Sequence, residues 1–264
     1  MSGSDRDRAV DYYDSIAWRY DADLSANAID RLARRAFIDL VTRYVDKRAT
    51  LVDFGCGTGL DAASYARHGY RVLAWDASPG MLAELRRRCA DDIEAGRVVA
   101  GSSDTDFSVQ LDAWPPAQAL TADFAVLNMI RDPAAIFALA ARHLASPGWV
   151  IVSVLNPVTW RDLVRPRWWL SRARASAGTF ANRTDRFDSY LHLVAAIARA
   201  APQFRLIGLG TAGTFAKYDE VGGDAPLHVF WDEPDAKSLK RAMWRSPLSR
   251  LFGTFLFLVL RRDA

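Results

Sequence analysis

The stretch that decides the fold is Leu51-Val-Asp-Phe-Gly-Cys-Gly-Thr-Gly59. The residues up to Phe54 read as a short buried strand and the three glycines as a turn. Leu60 to His68 reads as a helix, which Gly69 ends. Glycine permits the tight turn and leaves no Cβ in the way of a ligand that lies against the backbone. The pattern therefore predicts a ligand site where a strand passes into a helix.

Strands and helices alternate on both sides of this turn. Predicted strands cover residues 50–54, 71–75, 97–100, 122–127 and 149–155. Predicted helices cover residues 31–45, 60–68, 80–90 and 133–144. Because the strands are continuous apolar runs, they indicate a parallel sheet with helices on both faces.

The pattern changes after Leu155. A helix is predicted over 189–201, and extended segments over 204–209, 228–231 and 251–260. The last of these is strongly apolar, but it has ten residues, and a membrane-spanning helix needs about 20. We therefore expect a buried final strand there.

Length and composition are those of an ordinary globular protein. The chain has 264 residues, half of them hydrophobic and a quarter charged, which excludes a disordered or fibrous chain. Cys56 and Cys89 are too few for a disulfide framework or a zinc knuckle, so no metal site is predicted. The polar start of the chain, Met1 to Arg8, has no apolar signal region after it, and we expect a cytoplasmic protein.

The chain reads as a single domain with four parts. They are an N-terminal helical cap (1–48), a cofactor-binding half (49–155), a substrate lid or insertion (156–203) and C-terminal strands (204–264).

Charge is nearly balanced over the chain, with 34 basic and 31 acidic residues, so nucleic acid is an unlikely partner. The insertion is the exception, with seven arginines between 156 and 186 around Trp160, Trp168 and Trp169. One interpretation is a solvated arginine face with packed tryptophans. Another is a lid whose rings bury an apolar or aromatic substrate while arginines hold an acidic group. A membrane-surface or nucleic-acid patch is the least favoured.

Two acids flank the glycine turn. Asp53 lies two residues before the first glycine, and Asp76 ends the next predicted strand. Ligands of open α/β sheets bind at the carboxyl ends of the strands, where both acids would meet. A dinucleotide site needs G-x-G-x-x-G, but Leu60 stands where the third glycine should be, and Asp61 would repel a phosphate. The site therefore suits a cationic ligand without phosphate.

Asp53-Phe-Gly-Cys-Gly-Thr-Gly59 resembles motif I of the class I S-adenosylmethionine-dependent methyltransferases. Asp76-Ala-Ser-Pro-Gly-Met81 resembles the segment that follows it in that family, and Tyr13-Asp-Ser-Ile-Ala-Trp-Arg-Tyr20 resembles the N-terminal helix of the small-molecule, quinone-biosynthesis-like branch. The segments 122–128 and 142–149 resemble the family's fourth strand and the turn before its fifth. The resemblance implies an α/β fold: a Rossmann-like, seven-stranded, mostly parallel sheet with helices on both faces, a C-terminal antiparallel strand and an Arg/Trp-rich insertion after strand five.

The resemblance also implies roles for individual residues toward S-adenosylmethionine. Asp53, Gly55 and Gly57 would hold the methionine end, and Asp76 would hold the ribose. Met81 and Asp104 would contact the adenine. Tyr20 would close over the cofactor, and the backbone at Asn128 would line the methyl-transfer side.

Two departures from the family pattern stand out. The acid expected directly after strand three is displaced to Asp104 or replaced by Ser102. The histidine often found after strand four is missing from Asn128-Met-Ile-Arg131.

The implied function is methyl transfer to a small-molecule acceptor, apolar or aromatic, by in-line displacement. Tyr190, His192 and His228 are the candidates for a general base, which is needed only where the acceptor must lose a proton early. Three alternatives stay open. They are a non-catalytic binding module of the same fold, an RNA or protein methyltransferase and, more distantly, a nicotinamide-dependent oxidoreductase.

Overall fold

The protein is described by a computed structural model over residues 3–159, 178–183, 187–214, 227–232 and 253–263. Its strands are β1 Thr50–Phe54, β2 Arg71–Trp75, β3 Val98–Ala100, β4 Ala117–Ala122, β5 Leu144–Leu155, β6 Thr179–Arg183, β7 Asp188–His192, β8 Arg205–Thr214, β9 Leu227–Asp232 and β10 Phe255–Arg262. Its helices are α1 Gly3–Ala26, α2 Ala28–Tyr44, α3 Leu60–Arg67, α4 Pro79–Arg88, α5 Ala90–Glu94, α6 Phe107–Ala113, α7 Ala134–His143 and α8 Val194–Ala200, with a 3-10 turn at Val126–Met129. The tryptophans and most of the arginines of the predicted insertion lie outside the described residues.

The main sheet has the strand order β3-β2-β1-β4-β5-β10-β8-β9. The first five of these strands run parallel, and β10 is antiparallel to both β5 and β8. The predicted mostly parallel sheet with a C-terminal antiparallel strand is therefore confirmed. An eighth strand, β9, adds to the predicted seven by pairing antiparallel with β8 at the edge.

Helices cover both faces of the sheet, as predicted. On one face, Leu51 and Phe257 pack with residues of α2, α3 and α4. On the other, Val52 and Leu258 pack with residues of α6, α7 and α8. Successive side chains of one strand thus pack against helices on opposite faces of the sheet. Both faces are buried, which explains why apolar and polar residues do not alternate along the strands.

Strand four was predicted wrongly by five residues. Residues 122–127 are more apolar and richer in β-formers than 117–122, but β4 ends at Ala122. Phe124 and Ala125 both adopt left-handed backbone angles, with φ of +50° and +63°, which no strand accommodates. Pairing with β1 and β5 selects the earlier segment, and Asp123 therefore lies at the strand's carboxyl end rather than inside it.

The helix predicted over 189–201 is also partly wrong. Residues 188–192 form β7, which pairs antiparallel with β6 in a separate two-stranded sheet, and the helix begins at Val194. Hairpin pairing outweighs the helical spacing of Leu191 with the residues after it.

The glycine turn yields a stability prediction. Gly59 has φ of +80°, and a Cβ there would lie 2.8 Å from Cγ of Leu85 and 3.2 Å from its Cα. Gly59→Ala should lower the free energy of unfolding by about 2–5 kcal/mol, the sum of left-handed strain and overpacking. Gly96→Ala is the matched control, because Gly96 has φ of +69° with nothing within 4 Å. Gly96→Ala should lower the free energy of unfolding by about 1–2 kcal/mol. Urea unfolding measures both, and equal losses would contradict the packing argument.

Candidate cofactor site

The glycine turn is tied to the end of β2 by backbone hydrogen bonds. The amides of Gly55 and Cys56 both donate to the carbonyl of Trp75, at 2.8 and 3.0 Å. The amide of Gly57 donates to Oδ2 of Asp76 at 2.9 Å. The turn and the acid after β2 therefore form one hydrogen-bonded unit at the carboxyl edge of the sheet.

Asp76 is partly exposed, and both of its carboxylate oxygens are held. Oδ1 accepts the amide of Ser78 at 2.9 Å, and Oδ2 accepts that of Gly57. Burial raises the pKa of Asp76, while these backbone donors oppose the shift. Each oxygen keeps a lone pair for a further donor, such as a hydroxyl group of a bound ligand.

A second acidic group lies deeper, on one face of the sheet. Asp53 is level with Thr121 in the β1–β4 register, and Asp123 comes two residues after Thr121, so the two acids point to the same face. Asp61, in the first turn of α3, is also buried. The name acidic cluster is used below for Asp53, Asp61 and Asp123.

Two oxygens of the acidic cluster have no hydrogen-bond partner among the described residues. Oδ1 of Asp53 accepts the hydroxyl of Thr121 at 3.1 Å, whereas its Oδ2 is buried and unpaired. Oδ1 of Asp123 accepts the hydroxyl of Ser153 at 2.6 Å and the amide of Phe124 at 2.7 Å, and its Oδ2 is likewise unpaired. Both residues are almost fully buried, with exposed fractions of 2% and 5%.

Burial dominates the electrostatics of the acidic cluster. Loss of solvent raises the pKa of Asp53 to about 8, with the charge of Asp61 adding to the effect and Thr121 and Arg34 opposing it. The pKa of Asp123 is raised well above its ordinary value, first by burial and then by Asp61. An unpaired buried carboxylate is costly, so a cationic ligand would be favoured here.

Arg34 on α2 supplies the guanidinium that faces the acidic cluster. Its NH1 lies 2.6 Å from Oδ1 of Asp61, and its guanidinium carbon lies 4.5 Å from the ring centroid of Phe124. Arg34 therefore pairs directly with one of the three carboxyl groups. Arg34 was not among the predicted site residues. It shares a helix face with Phe37 and Val41, and a charged residue on an apolar face was the available signal.

Helix α1 covers the glycine turn and is attached to α4 at two places. Oδ1 of Asp14 accepts the amide of Gly80 at 2.6 Å and the hydroxyl of Ser78 at 2.9 Å. Asp21 forms an ion pair with Arg88 and accepts the hydroxyl of Thr58. The helix is thus held over the site at both ends of α4.

Tyr20, between these two attachments, lies next to the turn. Its Cε1 is 3.9 Å from the position that a Cβ on Gly57 would occupy. Burial raises the pKa of the Tyr20 phenol, and the neighbouring Tyr13 and Asp76 add to the shift. The structure therefore brings together Tyr20, Asp53, Gly55, Gly57 and Asp76, five of the predicted cofactor residues.

Asn128 and His192 join the turn after β4 to the β6–β7 hairpin. The side chain of Asn128 accepts the amide of Leu155 at 2.9 Å and donates to the carbonyl of Tyr190 at 2.6 Å. Nε2 of His192 lies 3.2 and 3.0 Å from the carbonyls of Leu127 and Ile130. Carbonyls only accept, so Nε2 carries the proton.

The second nitrogen of His192, Nδ1, lies 3.1 Å from the hydroxyl of Thr179, and burial lowers the pKa of the ring. Both nitrogens are therefore in use. Tyr190 is partly exposed on the same hairpin. His228 lies on β9, four strands from β4 in the sheet order, roughly 19 Å at the usual strand spacing.

Met81 and Asp104 lie away from the acidic cluster. Met81 is 1% exposed, and its amide donates to the capping hydroxyl of Ser78 at 3.1 Å. Asp104 is exposed in the loop after β3, and its amide donates to Ser102 Oγ at 3.3 Å. Their predicted contact with adenine stays a prediction.

Aromatic rings line the side of the site that faces the hairpin. The ring centroid of Phe187 lies 5.3 Å from that of Tyr12 and 5.6 Å from that of Tyr13, and the rings of Tyr13 and Tyr20 are 6.0 Å apart. These four residues are called the aromatic group below. The group joins α1 to the start of β7.

The fold and this glycine-turn site define the class of protein, and comparison with known proteins agrees. A family model described as a methyltransferase domain matches residues 28–187, more than half of the chain. The chain belongs to this family, and its predicted resemblance to the class I S-adenosylmethionine-dependent methyltransferases is confirmed.

Individual relatives match over shorter lengths. A demethylmenaquinone methyltransferase from Beutenbergia cavernae is 38% identical over 81 residues, 30% of this chain and 33% of the relative. A ubiquinone biosynthesis O-methyltransferase from Sodalis glossinidius is 32% identical over 112 residues, 42% of this chain and 43% of the relative. The matches thus span less than half the length of these curated relatives.

Solved structures share the fold over most of the chain. The 1,6-didemethyltoxoflavin-N1-methyltransferase of Burkholderia thailandensis, solved with 1,6-didemethyltoxoflavin and S-adenosylhomocysteine bound, has a TM-score of 0.56. The match covers 97% of this chain and 88% of that one at 16% identity.

Among the described residues, no helix has both the length and the apolar character needed to cross a bilayer.

The acidic cluster yields a prediction about pH. The pKa of Asp53 is about 8 in the folded chain and about 4 unfolded, so between these values only the folded state holds the proton. Raising the pH from 6 to 8 should therefore destabilise the wild-type protein relative to Asp53→Asn by up to about 1.4 kcal/mol per pH unit. Urea unfolding of both proteins at pH 6, 7 and 8 measures this difference. A constant difference over that range would contradict the protonated state of Asp53.

Proposed function

We propose that the protein transfers a methyl group from S-adenosylmethionine to a small-molecule acceptor. The observation that carries the proposal is the buried Oδ2 of Asp53, which has no partner in the described part of the chain and lies beside the glycine turn that Asp76 holds through the amide of Gly57. A carboxylate without a partner suits the ammonium group of this cofactor, and Gly57 has no Cβ to stand between the backbone and a ligand.

Each part of the cofactor has a candidate partner in the chain. Asp53 would hold the ammonium group of the cofactor, and the guanidinium of Arg34 would hold its carboxylate. The carboxylate oxygens of Asp76 would accept hydrogen bonds from the ribose hydroxyls. Tyr20 would close over the bound molecule. Met81 and Asp104 remain our assignments for the adenine, and Gly55 and Gly57 for the methionine end. When bound, S-adenosylmethionine supplies a methyl group that its sulfonium already activates.

The chain's own contribution to the reaction is alignment. An in-line displacement needs the acceptor atom behind the methyl group, and such alignment supplies as much as about 7–11 kcal/mol of barrier lowering. Asn128 and His192 hold the hairpin against the turn after β4, which supports a rigid wall on the acceptor side. Helix α1 would exclude water from the other side.

A general base is needed only for acceptors that must lose a proton early. Tyr190 stands on the hairpin and is partly exposed, which favours it over the buried His192. His192 has both ring nitrogens engaged, so we assign it a positioning role. His228 would require an acceptor that reaches the edge of the sheet.

The acceptor that we propose is an apolar or aromatic molecule. The aromatic group of Tyr12, Tyr13, Tyr20 and Phe187 lies beside the glycine turn and would give such a ligand aromatic neighbours. One relative is named for demethylmenaquinone and another for ubiquinone biosynthesis, and the solved Burkholderia enzyme is named for 1,6-didemethyltoxoflavin.

The experiment that tests the proposal combines binding with turnover. Calorimetric titration should detect S-adenosylmethionine and S-adenosylhomocysteine but no nicotinamide dinucleotide. Transfer of a labelled methyl group is then measured with a hydroquinone, with an aliphatic carboxylic acid of similar size and with mixed RNA. Label on the hydroquinone supports the proposal. Binding without transfer would favour a binding module, and label on the RNA would favour a macromolecular substrate.

The ribose assignment predicts the behaviour of a single variant. Asp76→Asn removes the negative charge and one acceptor oxygen, so the affinity for S-adenosylmethionine should fall by about tenfold or more. Asp112→Asn is the matched control, because Asp112 is exposed beside Arg142 and His143, away from the site. Calorimetry compares the two variants. An unchanged affinity in Asp76→Asn would remove the ribose assignment.

A further inference from the structure

Thr121 is a polar side chain inside a buried strand, and the proposed function gives it no role. It lies on β4 between the buried apolar residues Leu120 and Ala122 and is itself fully buried. Its hydroxyl lies 3.1 Å from Oδ1 of Asp53 and 3.3 Å from the carbonyl oxygen of Val52. A buried hydroxyl is generally hydrogen-bonded, and both of these acceptors belong to the neighbouring strand, β1.

The strand register places this hydroxyl beside Asp53. The two residues are level in the parallel pairing of β1 with β4, so their side chains point to the same face of the sheet. Threonine is branched at Cβ, which restricts its χ1 angle and keeps the hydroxyl in one direction. Oδ1 of Asp53 is thus held against β4, whereas Oδ2 has no partner in the part of the chain that the structure describes.

The hydroxyl can pair with Asp53 in either protonation state of the carboxyl group. A hydroxyl has one proton to donate, and its oxygen can also accept. When Asp53 is ionised, Thr121 can donate to Oδ1. When Asp53 is protonated, Thr121 can accept from the carboxyl group and donate to the carbonyl of Val52. In both cases Oδ1 is the oxygen that faces Thr121.

Electrostatics favour the first of these arrangements when a cation is bound. Burial raises the pKa of Asp53 to about 8 and Asp61 adds to the shift, while the hydrogen bond with Thr121 opposes it. Loss of the hydroxyl would therefore make Asp53 harder to ionise. An ammonium group forms its strong, charge-assisted hydrogen bond with the ionised carboxylate.

We infer that Thr121 is a positioning residue for the cofactor, because its hydroxyl holds Oδ1 of Asp53 and leaves Oδ2 free for the ammonium group. The inference rests on the proposed function. Thr121 acts through Asp53 rather than by touching the ligand. Its effect should therefore be confined to ligands that carry the ammonium group.

The test removes the hydroxyl and the methyl group of Thr121 separately. Thr121→Val keeps the shape of the side chain without the hydroxyl, and Thr121→Ser keeps the hydroxyl without the methyl group. In calorimetry, Thr121→Val should weaken S-adenosylhomocysteine by about three- to tenfold, as expected for one hydrogen bond, and Thr121→Ser by less than about twofold. 5′-Methylthioadenosine has the same nucleoside and sulfur without the ammonium group, and its affinity should change by less than about twofold in both variants.

Thr211→Val is the matched control for this substitution. Thr211 is also a buried threonine in a strand, but it lies on β8, three strands from β4 in the sheet order. Its replacement should leave both affinities unchanged, since distant sites act independently. If Thr121→Ser binds S-adenosylhomocysteine more weakly than Thr121→Val does, or if Thr121→Val weakens both ligands equally, packing explains the effect and the inference is overturned.

A measurement without ligand tests the same hydrogen bond. The stability that wild-type protein loses relative to Asp53→Asn as the pH rises should level off near pH 8, where the folded state ionises. In Thr121→Val, compared with the double variant that also carries Asp53→Asn, it should level off about 0.4–1 pH unit higher. Urea unfolding between pH 6 and 10 measures both, and an unchanged midpoint would contradict the role of Thr121.

Other groups around Asp53 are the same in both members of each comparison, so their titration cancels. They come from α2, α3, the glycine turn, the ends of β2 and β4 and the end of α4. These groups are Arg34, Asp61, Tyr65, Cys56, Asp76, Asp123 and Cys89.

The outcomes separate the inference from the proposed function. If wild-type protein binds neither S-adenosylmethionine nor S-adenosylhomocysteine, the proposed function fails, and the role of Thr121 toward the cofactor fails with it. If wild-type protein binds both and Thr121→Val binds S-adenosylhomocysteine equally well, only the role of Thr121 fails. Thermal melting checks that the variants fold. Should Thr121→Val not fold, Thr121→Ala takes its place, with the same selective loss expected and an equal loss for methylthioadenosine counting against the inference.

Discussion

One imbalance of charge governs the carboxyl edge of the sheet. Asp53, Asp61 and Asp123 are buried side by side, and among the described residues Arg34 is the cation that faces them. Burial of unpaired carboxylates is unfavourable, so the pKa values of Asp53 and Asp123 are raised, and a positively charged ligand would be favoured beside them. A phosphate-bearing cofactor would meet repulsion at the same place, which distinguishes this turn from the dinucleotide sites that it resembles in outline.

Backbone geometry is what holds that imbalance in position. The glycine turn after β1 is pinned to the carbonyl of Trp75, and the turn after β4 is held in left-handed conformations at Phe124 and Ala125. Both turns lie at the carboxyl ends of neighbouring parallel strands, where this class of fold binds ligands. The hairpin that carries Tyr190 is joined to the second turn through the side chain of Asn128, so it is connected to the carboxyl edge of the sheet.

Local sequence was sufficient for the cofactor half and insufficient elsewhere. The turn at Gly55 and Gly57 is set by residues adjacent in the chain, so its structure could be predicted together with Asp53 and Asp76. The end of β4 depends on pairing with β1 and β5. Because the neighbouring segment is more apolar, the strand was predicted too late in the chain, and Asp123 was placed inside it rather than at its end. Arg34 lies 19 residues before Asp53, and only the packing of α2 against the sheet brings its charge to the site.

The double attachment of α1 bears on how the site exchanges its contents. Asp14 accepts the amide of Gly80 in the first turn of α4, and Asp21 pairs with Arg88 at its last turn, with Tyr20 between the two on α1 beside the glycine turn. A nucleoside that enters or leaves past Tyr20 would have to displace a helix that is attached on both sides of that residue, so exchange of the ligand would require α1 to separate from α4.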